Sequence, residues 1–250
     1  MNMKKDNLEI GIYDTRREMG LNAAADIVKA MQDALAEKDE INMIFAAAPS
    51  QNDVLKALTE SSIEWNRVNA FHMDEYIGLD PAAPQSFGNF LTDHIFGKLP
   101  FKSVNLIRCG ADDPEAECDR YAALLDSYPV DLIVMGIGEN GHIAFNDPWV
   151  ADFHDGKKVK SVQLDEVCRQ QQVNDGCFES LEKVPQKAIT LTCPVFIHAP
   201  KLFCIVPGST KAEAVRKTVY GPVNEDCPAT ILRNHASAKL YLDRDSAALL

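Results

Sequence analysis

General acid–base chemistry is suggested first by two adjacent carboxylates. The segment Met-Asp-Glu-Tyr, residues 73–76, directly follows a predicted strand and precedes a turn-forming glycine. A carboxylate held at the end of a strand has the rigid placement that a general base needs, so Asp74 or Glu75 could fill that role. An ordinary polar loop is the alternative interpretation, because Asp-Glu pairs are common.

A glycine-rich loop, GIGENGHIAFND, follows another predicted strand and contains the G-x-G-x-x-G spacing of a dinucleotide-binding turn. That turn must open a helix, whereas the residues after the last glycine lack helical periodicity and soon reach a proline, so we reject a dinucleotide site. Gly138 and Gly141 instead predict a tight turn that a ligand can approach closely. His142 lies between Asn140 and Asp147, polar neighbours that would orient an imidazole, although a structural histidine is the alternative.

Two strand-to-helix turns could bind an anion. The first, residues 47–51, is here called the cradle loop, and its candidate ligands are Ala47, Ala48, Ser50 and Gln51. Residues 50–53 have a capping-box pattern, and free N–H groups at a helix N-terminus attract anions. The second turn places Lys211 in the first turn of a helix, where the helix dipole disfavours a cation unless an anion binds there. A well-capped helix and a solvated lysine are the alternatives.

Short apolar runs alternate with segments of helical period along the chain. The predicted strands are residues 8–13, 41–48, 68–73, 105–109, 131–136, 202–206 and 239–242. The predicted helices are approximately residues 23–35, 50–58, 86–96, 114–125, 166–178 and 211–219. Wholly apolar strands flanked by helices predict a Rossmann-like, three-layer α/β fold, with a mainly parallel sheet covered by helices on both faces. Ligands of such sheets bind beyond the carboxyl ends of the strands, where the four segments above lie.

Composition excludes several classes of protein. The 250 residues include 25 Lys+Arg and 37 Asp+Glu, a formal net charge of −12, which argues against a surface that binds nucleic acid or an anionic membrane. We find no signal peptide, membrane span or linker, and we predict one domain over residues 1–250. Seven scattered cysteines without disulfide or zinc spacing predict reduced thiols and a cytoplasmic location.

The four segments, in this order, resemble the glucosamine-6-phosphate deaminase (isomerase) family. The most specific signatures are residues 73–76 and the Gly-His-Ile-Ala-Phe-Asn run at residues 141–146. The related 6-phosphogluconolactonases share the fold and the Gly-His turn, but the Ile-Ala-Phe-Asn continuation is similar to the deaminases. The resemblance implies an enzyme that opens the ring of an amino-sugar phosphate, isomerises aldose to ketose and releases ammonia. It implies no metal or organic cofactor, and it leaves a homo-oligomer open.

The resemblance also implies a role for each site residue. Asp74 would carry a proton between C2 and C1 of the sugar, first as general base and then as acid. His142 would move a proton to and from the ring oxygen, with Asn140 and Asp147 orienting it. Lys211 and the cradle loop would bind the phosphate, with Gly138 and Gly141 close to the substrate.

The sequence departs from the family pattern at several of these positions. Asn140 stands where aspartate is common, and Asp147, one methylene shorter, stands where glutamate is usual. The family's Thr-Gly-Gly-Thr loop is replaced by Ala-Ala-Pro-Ser at residues 47–50, and an arginine by Gln172. Arg169 lies three residues earlier on a similar helix face and could substitute for that arginine. The family's allosteric serines are also missing, so we do not expect activation at a second site.

Glucosamine 6-phosphate is the simplest substrate on this interpretation. Three alternatives stay open: another amino-sugar phosphate such as galactosamine 6-phosphate, a 6-phosphogluconolactonase activity, and a non-catalytic sugar-phosphate sensor. The altered cradle loop and Asn140 motivate the sensor. The presence of both Asp74 and His142 argues against it, because a sensor needs no carbon-proton shuttle.

Overall fold

The computed structural model describes residues 2–250. The strands are β1 (Asn2–Lys5), β2 (Leu8–Tyr13), β3 (Ile41–Phe45), β4 (Val68–His72), β5 (Asp74–Tyr76), β6 (Ser103–Asn105), β7 (Leu132–Met135), β8 (Val159–Gln163), β9 (Lys187–Leu191), β10 (Lys201–Val206) and β11 (Ala238–Asp243). The α-helices are α1 (Arg16–Glu37), α2 (Asn52–Thr59), α3 (Phe87–Leu91), α4 (Pro114–Ser127), α5 (Glu166–Asn174), α6 (Cys193–Ile197) and α7 (Ala212–Tyr220). Short 3₁₀ helices occupy Pro49–Gln51, Trp65–Arg67, Leu181–Lys183, Ser209–Lys211 and Pro228–Asn234, and a π-helical turn, Thr92–Phe96, extends α3.

The larger sheet is the scaffold that positions the site. Its strands lie in the order β1-β2-β11-β10-β7-β3-β4-β6, and all neighbours are parallel except β1 and β2. From β3 the chain builds outward through β4 and β6, then returns to β7 and continues to β10 and β11 on the other side. The direction of winding therefore reverses between β3 and β7. Such a reversal opens a crevice at the carboxyl ends of the strands, where ligands bind in open α/β sheets.

Helices cover both faces of this sheet. On one face, α1 and α2 pack against side chains such as Phe45 and Val134. On the other face, α4, α6 and α7 pack against side chains that include Ile44 and Ile133. Neighbours in one strand serve opposite faces because successive side chains of a β-strand alternate in direction. The predicted three-layer, mainly parallel α/β fold with helices on both faces is confirmed.

A second sheet, in the order β5-β9-β8, was not predicted from the sequence. It is antiparallel, and β5 has only three residues, too few to reveal an alternating pattern of apolar and polar side chains. Asp74 pairs with Thr190 of β9, and the backbone N–H of Leu191 donates to the carbonyl of Met73 at 2.8 Å. The small sheet therefore holds the segment after β4 in place.

Several predicted elements end at different residues in the structure. The strand predicted at residues 41–48 ends at Phe45, and the helix predicted to reach residue 178 ends at Asn174. The strand predicted at residues 105–109 is instead β6, a three-residue edge strand that pairs only with β4 among the described residues. Apolar residues beyond these ends, such as Ala46 and Ile107, are buried in the core without belonging to a strand, so hydrophobicity alone overestimates the length of the strands.

The capping box predicted at residues 50–53 is wrong. A 3₁₀ turn precedes α2, and no side chain caps the α2 N-terminus. The Asp53 carboxylate is bound instead by the Arg16 guanidinium of α1, with Nε 2.6 Å from Oδ2. Ser50 Oγ accepts a hydrogen bond from Gln51 Nε2 at 3.0 Å. Both capping groups are therefore committed to tertiary or neighbouring contacts that a local pattern does not reveal.

The absence of a membrane span and of disulfides was also predicted. Among residues 2–250, no helix has both the length and the apolar composition needed to cross a bilayer. All seven cysteines lie in this part of the chain as free thiols, and six of them are buried.

Buried polar contacts fix the end of β4, just before the Met-Asp-Glu-Tyr segment. The Tyr121 hydroxyl of α4 donates to the carbonyl of His72 (2.8 Å) and accepts from the His72 backbone N–H (3.0 Å). The His72 Nε2 accepts from the backbone N–H of Ile107 at 2.8 Å, and burial lowers the pKa of His72 to about 3, which keeps the ring neutral. These bonds tie β4 to α4 and to the segment that follows β6.

Replacing Tyr121 by Phe is expected to lower the free energy of unfolding by about 1–3 kcal/mol, because the buried backbone groups of His72 lose their hydrogen-bond partner. Urea denaturation followed by circular dichroism measures the change. Tyr220→Phe is the matched control, since Tyr220 is 52% exposed whereas Tyr121 is fully buried. Equal unfolding midpoints for Tyr121→Phe and the wild type would contradict this role.

Candidate active site

A pocket of about 230 Å³ opens at the carboxyl ends of β3, β7 and β10, beside the point where the winding of the sheet reverses. Loops that follow these strands form its walls, together with the start of β5 and one side of α5. Most of the site residues predicted from sequence line it. They are Ala47, Ala48, Ser50, Gln51, Asp74, Gly138, His142, Gln172 and Lys211.

The two carboxylates of the Met-Asp-Glu-Tyr segment have different environments. Asp74 lines the pocket and is 7% exposed, and burial, with a smaller contribution from the charge of Glu75, raises its pKa well above the usual value. Glu75 accepts hydrogen bonds from the backbone N–H groups of Tyr76 (2.9 Å), Phe87 (3.1 Å) and Gly88 (2.9 Å). Burial raises the pKa of Glu75 to about 7, although these bonds oppose the shift. Asp74 is therefore the carboxylate available to a ligand, and Glu75 anchors the start of α3.

His142 is oriented from behind by the two polar residues that the sequence predicts. Its Nδ1 lies 2.8 Å from Asn140 Oδ1 and 3.2 Å from Asp147 Oδ1. Because both neighbours are acceptors, Nδ1 carries the ring proton and Nε2 is left with a free lone pair. Asn140 and Asp147 do not line the pocket themselves. His142 therefore presents its ring to the pocket while its partners lie beneath the surface.

Asp147 supplies the negative charge beside His142. It is fully buried, and its Oδ1 also accepts from Asn140 Nδ2 at 2.9 Å. Burial acts to raise the pKa of Asp147, but the hydrogen bonds from His142 and Asn140 and the attraction to His142 outweigh it, so the pKa lies below its usual value. The shorter aspartate side chain therefore still reaches the imidazole, and it remains ionised there.

Two glycines make this arrangement of His142 sterically feasible. A Cβ on Gly138 would lie 2.1–2.3 Å from atoms of the imidazole, so the ring packs directly on the glycine backbone. Gly141 has φ of +86°, and a Cβ there would approach the Cys227 thiol to 2.5 Å. Only glycine adopts this conformation without strain. Gly141 shapes the turn from outside the pocket, whereas Gly138 forms part of the pocket wall.

The cradle loop is attached to the end of β10 through a buried side chain. Gln51 is fully buried, and its Nε2 donates to the carbonyl of Ile205 at 3.2 Å as well as to Ser50 Oγ. Its Oε1 is buried without a hydrogen-bond partner in residues 2–250. Pro49 contributes no backbone N–H to the loop. The loop therefore lies next to the β10 turn that carries Lys211.

Lys211 is a buried cation at this end of the pocket. Lys211 is 5% exposed, and its ammonium group makes no hydrogen bond or ion pair within residues 2–250. Burial lowers the pKa of Lys211, while the negative charges of Asp175 and Glu139 partly oppose the shift. A buried ammonium without a close partner is costly, and an anionic ligand would remove that cost. We call the region lined by the cradle loop and Lys211 the anion end.

The prediction that Arg169 substitutes for the family's arginine is wrong. That arginine stands at the position of Gln172, and Arg169 does not reach the same place. Its Nη2 donates to the carbonyls of Leu181 (2.6 Å) and Val184 (3.0 Å), and its Nε to that of Val184 (3.3 Å). Arg169 is absent from the pocket lining, whereas Gln172 is part of it. Residues three apart on a helix lie on only approximately the same face. Here backbone carbonyls of the segment after α5 bind the Arg169 guanidinium instead.

Two charged residues of the pocket were not identified from sequence. Arg16, the first residue of α1, lines the pocket after the carboxyl end of β2, and Asp175 lines it at the end of α5. Searching the residues after every predicted strand, including the strand at residues 8–13, would have found Arg16. Asp175 follows a helix rather than a strand and has no such local signal.

His142, Asp147 and Cys168 form a group of potential metal ligands, since their ligand atoms lie within 4.8 Å of one another. However, the Nδ1–H group of His142 already faces the carboxylate of Asp147, so this nitrogen has no free lone pair for a metal. Burial raises the pKa of the Cys168 thiol well above its usual value, which disfavours the thiolate that a metal would need. Within this group, the contact of Asp147 with His142 Nδ1 holds the imidazole in position.

Named proteins are similar in sequence to most of this chain. The glucosamine-6-phosphate deaminase of Listeria monocytogenes serovar 1/2a is 36% identical over 212 residues, which cover 84% of this chain and 88% of that protein. The glucosamine-6-phosphate deaminase of Exiguobacterium sibiricum is 34% identical over 219 residues, covering 88% and 85% of the two chains.

Solved structures show the same architecture. A monomeric glucosamine-6-phosphate deaminase superposes with a TM-score of 0.88 at 29% identity, covering 99% of this chain and all of that one. The 6-phosphogluconolactonase of Thermotoga maritima superposes with a TM-score of 0.76 at 18% identity, covering 94% and 99% of the two chains, a likeness that shows the fold alone. The family model described as glucosamine-6-phosphate isomerases/6-phosphogluconolactonase matches residues 14–242. With this match over most of its length, the chain belongs to the glucosamine-6-phosphate isomerase/6-phosphogluconolactonase family.

Proposed function

We propose that this protein is a glucosamine-6-phosphate deaminase, which converts glucosamine 6-phosphate and water to fructose 6-phosphate and ammonia. The observation that carries the proposal is that one pocket combines a buried carboxylate, an oriented imidazole and a buried ammonium, from Asp74, His142 and Lys211. The deaminases at 34–36% identity support the same substrate.

Ring opening is the step for which His142 is suited. The imidazole takes the proton of the C1 hydroxyl at Nε2 and delivers it to the ring oxygen as the C1–O5 bond breaks. Asp147 stabilises the imidazolium that forms between these transfers, and the Nδ1 contact with Asn140 holds the ring in position. The product of this step is the open-chain aldehyde.

Isomerisation follows at Asp74. The ionised carboxylate removes the proton from C2, and the electron pair of that C–H bond forms the C1–C2 double bond. The aldehyde oxygen takes a proton from the ammonium group of the substrate, which gives an enolamine. Asp74 then returns the proton to C1, which leaves a C2 imine. Its burial in the pocket wall protects the shuttled proton from exchange with bulk water and raises its basicity.

Hydrolysis of the imine completes the reaction. Water adds to C2, the C2–N bond breaks, and ammonia leaves as the C2 carbonyl of fructose 6-phosphate forms. Atoms balance with one water consumed for each ammonia released. The phosphate lies at the anion end, where Lys211 supplies positive charge. The free cysteines are consistent with a cytoplasmic enzyme that acts on this small molecule, and the oligomeric state stays a prediction.

Wild-type protein is expected to release ammonia and fructose 6-phosphate from glucosamine 6-phosphate, and Asp74→Asn to lower kcat by about 10²–10⁴, because the carbon-proton shuttle is lost. Coupled detection of both products makes the measurement. Asp93→Asn, an exposed change, is the matched control. Neither product from the wild type, or faster turnover of galactosamine 6-phosphate or 6-phosphogluconolactone in the same panel, would overturn the substrate assignment.

The pH dependence is expected to carry the signature of Asp74. Its raised pKa means that the carboxylate is protonated, and inactive as a base, at pH values where an ordinary aspartate is ionised, so kcat/KM should fall earlier as pH is lowered. Glu75 is negatively charged only near and above pH 7, so Glu75→Gln should move the acid limb to lower pH only where that limb lies in this range. A limb that lies above pH 7 and does not move, in a variant that circular dichroism shows to be folded, would argue against Asp74 as the titrating base.

Asp147→Asn is expected to lower kcat by about 10² or more with little change in KM, because the imidazole loses its charged partner while the substrate contacts remain. Steady-state kinetics on glucosamine 6-phosphate separate the two constants. Asp112→Asn, an exposed change, serves as control. An effect confined to KM would place Asp147 in substrate binding instead.

A further inference from the structure

The anion end has fewer cations than a phosphate ester calls for. A phosphate monoester carries a charge of about −1.5 to −2 at pH 7. Lys211 supplies one positive charge, whereas Gln172 is neutral and Arg169 is bound to carbonyls elsewhere. The Asp175 carboxylate lines the same pocket and offsets part of the lysine charge. Another cation is therefore needed for tight phosphate binding.

Arg16 lies where such a cation is needed. It begins α1 after the N-cap Thr15 and lines the pocket beside the cradle loop. Two contacts hold its guanidinium: Nε donates to Asp53 Oδ2 at 2.6 Å, and Nη2 donates to the carbonyl of Pro49. The guanidinium is thus attached to the cradle loop at one point and to α2 at another.

These contacts leave part of the guanidinium free. Arginine has five N–H donors in a planar fork, and the two contacts use only two of them. In residues 2–250, Nη1 makes no hydrogen bond, and the Arg16 side chain is 43% exposed. A fixed guanidinium with free donors suits a phosphate, which arginine binds through paired hydrogen bonds.

We propose that Arg16 is a substrate-binding residue that contacts the phosphate group together with Lys211. The inference rests on the proposed function, since it concerns the same pocket and the same sugar phosphate. It also assigns a role to Pro49: the residue donates no N–H to an anion, but its carbonyl fixes the guanidinium that binds the anion. The cation comes from the start of α1 instead of from α5.

Arg16→Gln is expected to raise KM for glucosamine 6-phosphate by about ten- to a hundredfold, because a charge-assisted hydrogen bond to the phosphate is lost. We expect kcat to change much less. The Ki of inorganic phosphate as a competitive inhibitor should rise in parallel, and Arg16→Lys should restore part of both. Arg17→Gln is the matched control, because Arg17 is the next residue, is exposed and lines a separate groove with Lys56 and Glu60. Unchanged KM and Ki in Arg16→Gln would overturn the inference.

A purely structural brace between α1 and the cradle loop is distinguished by Asp53→Asn. This change removes the carboxylate that holds Arg16 but keeps the guanidinium charge. A phosphate-binding Arg16 predicts a much smaller rise in KM and Ki for Asp53→Asn than for Arg16→Gln. Equal rises, with equal losses of stability in urea denaturation, would make Arg16 a brace and overturn the inference.

Failure of the proposed function gives a different result. Calorimetry with inorganic phosphate measures binding at the anion end without turnover. Phosphate binding that depends on Arg16 in a protein that does not release ammonia would support the inference while overturning the deaminase assignment. Normal ammonia release with no effect of Arg16→Gln on KM or on phosphate binding would do the reverse. No phosphate binding by the wild type would overturn the inference, whereas the deaminase assignment would still be decided by ammonia release.

Discussion

Parallel pairing of the central strands is the constraint on which the site depends. Phe45 at the end of β3 is in register with His72 of β4 and with Val134 of β7, and Met135 of β7 is in register with Cys204 of β10. Strands hydrogen-bonded in this register end at nearly the same level. The loops that follow them therefore meet at one edge of the sheet, and residues far apart in sequence share a pocket there.

Burial then sets the chemistry of the groups that meet at this edge. Removal from water raises the pKa of Asp74 and lowers that of Lys211, since each group loses hydration of its charged form. At Asp147 the hydrogen bonds from His142 and Asn140 outweigh the effect of burial, so the pKa of Asp147 is lowered. The result is a carboxylate with increased basicity at the pocket wall and an ionised carboxylate behind the imidazole. The pKa values of two aspartates are thus shifted in opposite directions by different surroundings.

The glycine turn shows how closely backbone and chemistry are linked. The imidazole of His142 occupies the space that a Cβ of Gly138 would fill, while Gly141 has a left-handed conformation and packs on Cys227. The G-x-G-x-x-G spacing is present, yet its glycines make room for a side chain of the loop itself. Such a loop does not open a helix. Here Asn140, which lies within the motif, binds His142, the residue that follows it.

The sequence by itself determined the fold class, because apolar periodicity is a local property that survives without knowledge of the partners. It also located Asp74 and His142, since both follow strands whose ends were recognisable. It did not decide which of two adjacent carboxylates faces the ligand, where Arg169 binds, or that Arg16 reaches the cradle loop. Those choices were made only by the tertiary structure. The pocket forms where long-range strand pairing and helix packing bring segments together, and a side chain's direction there depends on neighbours that are distant in sequence.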